Sequence, residues 1–214
     1  MIRSVSLAVA ATLLTTAAQA STIDFEAQFF DGFGYAKTAF NEDGFRVEIA
    51  PTSIFGMFLI NDPSRQLGLC GPGCASNGTT AYYGLNETSI SFFQANGGLF
   101  SLSSLDAAQT FLGLDRPLTL TLTGVKAGGV VTDTIFVGAD AAGAFATFTF
   151  DDFVDLKWLT ITGSQEFPEF ALDNVVLTAG SVPEPATWAM MIGGMGVVGG
   201  AMRRRRVSTK VSFA

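Results

Sequence analysis

From Leu118 to Thr123 the chain alternates leucine and threonine without a break. A period of two places every leucine on one face of an extended strand and every threonine on the other, so one face is buried and one is wet. The same period recurs elsewhere. Ile23 and Phe25 alternate with Asp24 and Glu26; Phe45, Val47 and Ile49 with Arg46 and Glu48; Phe148 and Phe150 with Thr147 and Thr149. Further strands are expected over Ser53–Ile60, Ser89–Gln94, Val130–Val137, Leu156–Thr162 and Glu169–Leu177. Turn signals separate them, among them Asp43-Gly44, Asn96-Gly97-Gly98 and Gly128-Gly129. One short helical piece is expected near Leu105–Gln109. No strand-helix-strand rhythm runs through the chain, which argues against a parallel sheet. The expectation is an all-β domain, an antiparallel β-sandwich of jelly-roll kind over residues 21–178.

The composition narrows the chemistry. The chain has 214 residues and no histidine. That removes Ser-His-Asp and Cys-His catalysis, imidazole bases and His-ligated zinc. Between Ser21 and Val182 stand six basic and eighteen acidic residues, a net charge of −12. So acidic a body argues against nucleic acid and anionic lipid as partners. Carboxylate chemistry stays open, but eighteen acids make pairs inevitable and single out none of them. Twenty phenylalanines supply core volume.

Two cysteines occur, in Cys70-Gly71-Pro72-Gly73-Cys74. The interior is turn chemistry that can bring the two ends together. In an exported protein a small structural disulfide is the expectation, because metal binding would need further soft ligands and the redox spacing is shorter by one.

Both termini carry targeting patterns. A basic start at Met1-Ile2-Arg3, an apolar run from Val5 to Ala18 and the small-x-small triplet Ala18-Gln19-Ala20 describe a cleaved signal peptide. At the other end Val182-Pro183-Glu184-Pro185-Ala186-Thr187-Trp188-Ala189 precedes an uncharged, glycine-rich run to Met202 and then Arg203-Arg204-Arg205-Arg206. Seventeen uncharged residues would span about 26 Å as a helix, slightly short of a hydrocarbon core of about 30 Å. The arginines would stay on the cytoplasmic side. The expected layout is a signal peptide at 1–20, the sandwich at 21–178, a linker with the Pro-Glu-Pro motif at 179–185, a transmembrane segment at 186–202 and a basic cytoplasmic tail at 203–214.

This C-terminal arrangement resembles a PEP-CTERM sorting signal of the variant with Trp-Ala after the motif. The resemblance implies recognition at Pro183, Glu184, Pro185 and Trp188 by an exosortase-like membrane processing enzyme. It also implies passage through the inner membrane of a Gram-negative bacterium that makes exopolysaccharide, with delivery to the cell surface or matrix. The tail beyond Arg206 is longer than the family usually shows.

The body resembles galactose-binding-like jelly rolls. The residues that carry this are Ile23-Asp24-Phe25-Glu26, Phe100-Ser101-Leu102-Ser103-Ser104-Leu105-Asp106 and Phe170-Ala171-Leu172-Asp173-Asn174-Val175-Val176-Leu177. That resemblance implies a calcium ion where the first and last strands meet, held by Glu26 and Asp173 with Asp24 as a substitute. Trp158 belongs with Thr160 and Thr162 on the wet face of its strand, opposite Leu159 and Ile161, where an indole can stack on a sugar ring. Tyr82 and Tyr83 are weaker candidates of that kind. The sequons at Asn77 and Asn86 have no reader in a bacterium. The functional expectation is an exported structural or binding protein, not an enzyme. The alternatives are a carbohydrate-binding module acting on exopolysaccharide and a carboxylate-dependent glycoside hydrolase or lyase.

Overall fold

The computed structural model describes residues 19–28, 34–35, 38–50, 57–60, 73–84, 88–110, 117–138, 143–163, 169–180 and 185–204. They fall into two units, residues 1–180 and 181–214. The signal-peptide run of residues 1–18 lies outside the described residues, as do Pro183 and Glu184.

Thirteen strands are described in the first unit: β1 (Ala20–Ile23), β2 (Gly34–Tyr35), β3 (Ala39–Glu42), β4 (Phe45–Ala50), β5 (Met57–Ile60), β6 (Ala81–Gly84), β7 (Ser89–Gln94), β8 (Phe100–Gln109), β9 (Leu118–Lys126), β10 (Gly129–Val137), β11 (Ala146–Thr149), β12 (Leu156–Gly163) and β13 (Phe170–Ala179). Every pairing is antiparallel. One layer runs β2-β5-β6-β13-β8, with β1 also on β13 and β11 also on β8. The other runs β10-β9-β12-β7-β4-β3. Among the described residues a single backbone pairing, Leu156 with Phe100, joins them.

The two layers face each other across one core. Their inward residues form a single buried cluster, with Leu102, Leu105, Phe170 and Leu172 from the first layer and Val47, Phe92, Leu120 and Leu159 from the second. Phe45 of β4 meets Phe100 of β8 edge-on, with centroids 5.5 Å apart. From β4 onward the chain crosses between layers at most of its connections, as an antiparallel sandwich of jelly-roll kind requires. Close approach sets one glycine: a Cβ on Gly124 of β9 would lie 2.8 Å from Leu156 Cδ2 and 2.9 Å from Val131 Cγ1.

The long alternating strands stand where the period of two puts them. Residues 105–109 differ, being the second half of strand β8 and not a helix. Ala107 joins the main core, while Ala108 on the opposite face joins a second cluster with Ala75, Ala81, Tyr83 and Ala171. A strand covered on both faces loses its alternation. The first strand also ends early. Phe25 takes a left-handed conformation (φ 60°), and the chain turns into a 3-10 turn at Glu26–Gln28.

In the second unit one helix, α1, covers Pro185–Arg204. Pro185 stands at its first position, where the missing N–H costs nothing. Its apolar residues, Met190 to Met202, are exposed. Among the described residues no helix is long and apolar enough to cross a membrane. Residues 186–202, where a transmembrane segment is expected, lie within this helix. Five glycines dilute the hydropathy of a run that is also short for a bilayer.

Candidate functional site

The outer face of the second layer presents a regular polar array. Because leucine and isoleucine fill the inner positions of β9 and β12, their alternate residues point outward. In register, Thr123 of β9 faces Thr160 of β12, which faces Ser91 of β7; Thr121, Thr162 and Ser89 form the next row. The Ser91 and Thr160 hydroxyls are hydrogen-bonded at 2.8 Å. One step along, Trp158 stands beside Phe93, with ring centroids 6.5 Å apart and planes tilted by 32°. Phe93 in turn faces Arg46, whose Nε donates to Glu48 at 2.6 Å. Trp158 is 39% exposed, while Leu159 and Ile161 are fully buried. The strand therefore turns its faces as its alternation dictates. Phe93 was legible in the same way, since in Ser89–Gln94 the inner positions go to Ile90 and Phe92.

This face offers two kinds of contact. An aromatic pair gives a flat apolar surface with an edge-positive, face-negative quadrupole. The threonine and serine hydroxyls can donate and accept. Tyr82 and Tyr83 contribute nothing to it, because both are buried. The Tyr82 hydroxyl donates to Thr88 Oγ1 at 3.2 Å, and the Tyr83 hydroxyl to the Ala75 carbonyl. Burial raises both phenols above their ordinary range, and the nearby Asp173 charge adds to the effect at Tyr83.

The acids singled out in the sequence gather around the segment Asn77–Thr80. Asp173 accepts from Asn77 Nδ2, from Thr79 Oγ1 at 3.0 Å and from the Asn174 N–H at 2.7 Å. Glu26 accepts from the Thr80 N–H at 2.8 Å and from Thr80 Oγ1 at 3.1 Å. Asp106, opposite Asp173 across β8 and β13, accepts from Thr147 Oγ1 at 2.6 Å and Asn174 Nδ2 at 2.9 Å. Burial pushes the Asp173 carboxyl up, against the pull of its hydrogen bonds. Asp24 accepts from the Glu26 N–H at 3.1 Å.

The carboxylate oxygens of Glu26 and Asp173 thus already face protein donors. Among the described residues no group of three or more Cys, Asp or Glu side chains is arranged to hold a metal ion. Calcium binds through several oxygens directed at one point, and these two residues as placed do not fit that requirement. They clasp residues 77–80 onto the end of the sandwich instead.

Two further residues complete the inventory. Cys74 is buried and is not a free thiol, and Cys70 lies outside the described residues. Glu42, which sequence reasoning passed over, is 7% exposed at the end of β3. Its Oε1 accepts from the Asp24 N–H at 3.0 Å and the Phe25 N–H at 2.8 Å, and its Oε2 from Gln28 Nε2 at 3.2 Å.

Compared with known proteins, the chain matches no curated protein. Among solved structures it is similar to a cleaved adhesin domain of Lys-gingipain from Porphyromonas gingivalis, at 11% identity and a TM-score of 0.45, covering 76% of this chain and 99% of that one. It is also similar to the family 32 carbohydrate-binding module of C. perfringens NanJ in complex with galactose, at 16% identity and a TM-score of 0.36, covering 67% and 98%. A third is TmCBM61 in complex with beta-1,4-galactotriose, at 11% identity and a TM-score of 0.39, covering 73% and 94%. Residues 181–206, with Pro183-Glu184-Pro185, Trp188 and the four arginines, match the PEP-CTERM protein-sorting motif, and the chain carries that sorting signal at its C-terminal end.

Proposed function

We propose that this is an exported protein of a Gram-negative cell whose C-terminal signal is processed by an exosortase-like membrane enzyme, and whose sandwich serves as a non-catalytic polysaccharide-binding body at the cell surface. The matched sorting motif supports the first half. One observation carries the second. Trp158 and Phe93 form a partly open aromatic pair at the end of two rows of outward hydroxyls. A sugar ring has an apolar C–H face and equatorial hydroxyls, and this surface offers a counterpart to each. Arg46 and Glu48, beside the pair, bond to each other, which favours a neutral glycan over a charged one. The Cys70–Cys74 disulfide belongs to this reading as a brace in an oxidising compartment.

Titration of neutral polysaccharides against the purified chain tests the binding half. Binding is expected to weaken about tenfold in Trp158→Ala, equivalent to about 1.4 kcal/mol. Unchanged affinity in that variant would remove this face from consideration. Mass spectrometry of the protein from its native host tests the sorting half, with both terminal segments expected to be gone.

A further inference from the structure

Among the described residues, strand β10 stands at the edge of the second layer and pairs with β9 alone. It is nine residues long and its register is uninterrupted from Gly129 to Val137. The other described strands at layer margins are much shorter, with four residues in β3 and two in β2. Natural edges are usually blunted by proline, lysine or a bulge. This one has no proline, lysine or bulge; its sole charge is Asp133, which alternation places on the face of the buried Ile135 and Val137. Val130 and Phe136 on it are 63% and 64% exposed. The Thr134 N–H donates to Asp133 Oδ1 at 2.8 Å, which places that N–H on the open side, away from β9.

The strand is also self-complementary. Read outward from Asp133, the sequence is matched on both sides: Thr132 with Thr134, Val131 with Ile135, Val130 with Phe136. We propose that β10 pairs antiparallel with β10 of a second copy of this chain about a two-fold axis through Asp133, continuing the second layer across two molecules. In that register Thr132 and Thr134 of opposite copies exchange backbone hydrogen bonds, the Thr134 N–H giving up Asp133 Oδ1 for a carbonyl of the second copy, and Val130 packs against the partner copy's phenylalanine at position 136. The occupant is a second copy because the symmetry of the strand about one residue is what an isologous pairing needs, and an unrelated strand would have no use for it.

Two features keep the pair weak. Asp133 meets its own counterpart on the axis, and like charges directly opposite oppose pairing. One strand edge of about 30 Å also covers less than the roughly 1,200 Å² of a standard stable interface. Association is therefore transient between free molecules and grows where copies are held together on one surface.

Cross-linking in the full chain tests this. Residues opposite each other in a non-hydrogen-bonded antiparallel pair have Cα atoms about 4.5 Å apart, within disulfide reach. Asp133→Cys under mild oxidation is expected to give at least about five times the covalent dimer formed by Asp43→Cys, a control in an exposed turn. Adding Thr134→Pro is expected to abolish the excess, because proline removes a donor from the open edge and is tolerated there. Adding Val130→Lys with Phe136→Lys does the same by placing lysines opposite lysines at two exposed positions, so a folded test survives if the proline variant fails to fold. Equal yields from Asp133→Cys and Asp43→Cys overturn the proposal. So does an excess that persists in the folded lysine variant, since that points to pairing through another surface.

Discussion

Glu42→Ala is expected to lower the melting temperature by roughly 10 °C. The carboxylate at position 42 satisfies the Asp24 and Phe25 N–H groups where the chain leaves β1 and turns through the left-handed Phe25. Stranding two such donors costs about 1–3 kcal/mol each. For a domain of this size each kcal/mol corresponds to about 2–4 °C. Glu42→Gln keeps an oxygen in front of both N–H groups and is expected to lose about 1 kcal/mol. Thermal melts of the three proteins side by side check the ordering.

The same residue sets a pH dependence. Burial raises the Glu42 carboxyl above its reference value of 4.5 and the Asp173 carboxyl above 3.8. A carboxyl raised in the folded state holds its proton more tightly there than in the unfolded chain. Its stabilising contribution is complete below the unfolded value and is lost as the pH rises through the folded one. Melting temperature is therefore expected to fall as the pH rises from about 4 toward neutrality. Glu42→Gln is expected to flatten part of that slope. A slope unchanged by this variant would assign it to other acids.

Phe100→Ala is expected to cost about 3–5 kcal/mol, as for other buried phenylalanines cut back to alanine. Phe100 is buried where the two layers join: its backbone pairs with Leu156 and with Ala179, and its ring lies edge-on to Phe45. The cavity would open between the sheets, where neighbouring backbones cannot collapse into it. Phe100→Leu is expected to lose much less, about 1–2 kcal/mol. Denaturant unfolding followed by tryptophan fluorescence distinguishes the two.

Legibility in the sequence followed exposure. Strands with one dry and one wet face, such as β4, β7, β9 and β12, were readable because their alternation reports burial directly. The hairpin between β3 and β4 was readable from Asp43-Gly44, and both residues take positive φ, as a tight two-residue turn demands. Readability failed where a second layer of chain covers the sheet. Tyr82 and Tyr83 are neighbours that both vanish into the interior, one into each cluster, because β6 is covered on both faces. Residues 105–109 read as helical for the same reason. Glu42 was invisible because an acid in an alternating strand reads as a wet position. Only the unpaired N–H groups of a turn eighteen residues earlier make it an inner one. Trp158 was placed correctly by period alone, whereas Glu26 and Asp173 were brought to one region by the fold but committed there to hydrogen bonds that no spacing could announce.

The last strand of the body, β13, lies inside its layer, with β8 along one side and β1 and β6 along the other. A chain threaded N-terminus first through any pore therefore arrives with the middle plank of this layer missing. Strands β1, β6 and β8 each lack one neighbour until Phe170–Ala179 emerge. In such a passage the first layer completes only with the arrival of β13, and Gly180 alone separates that strand from the segment that begins the sorting signal.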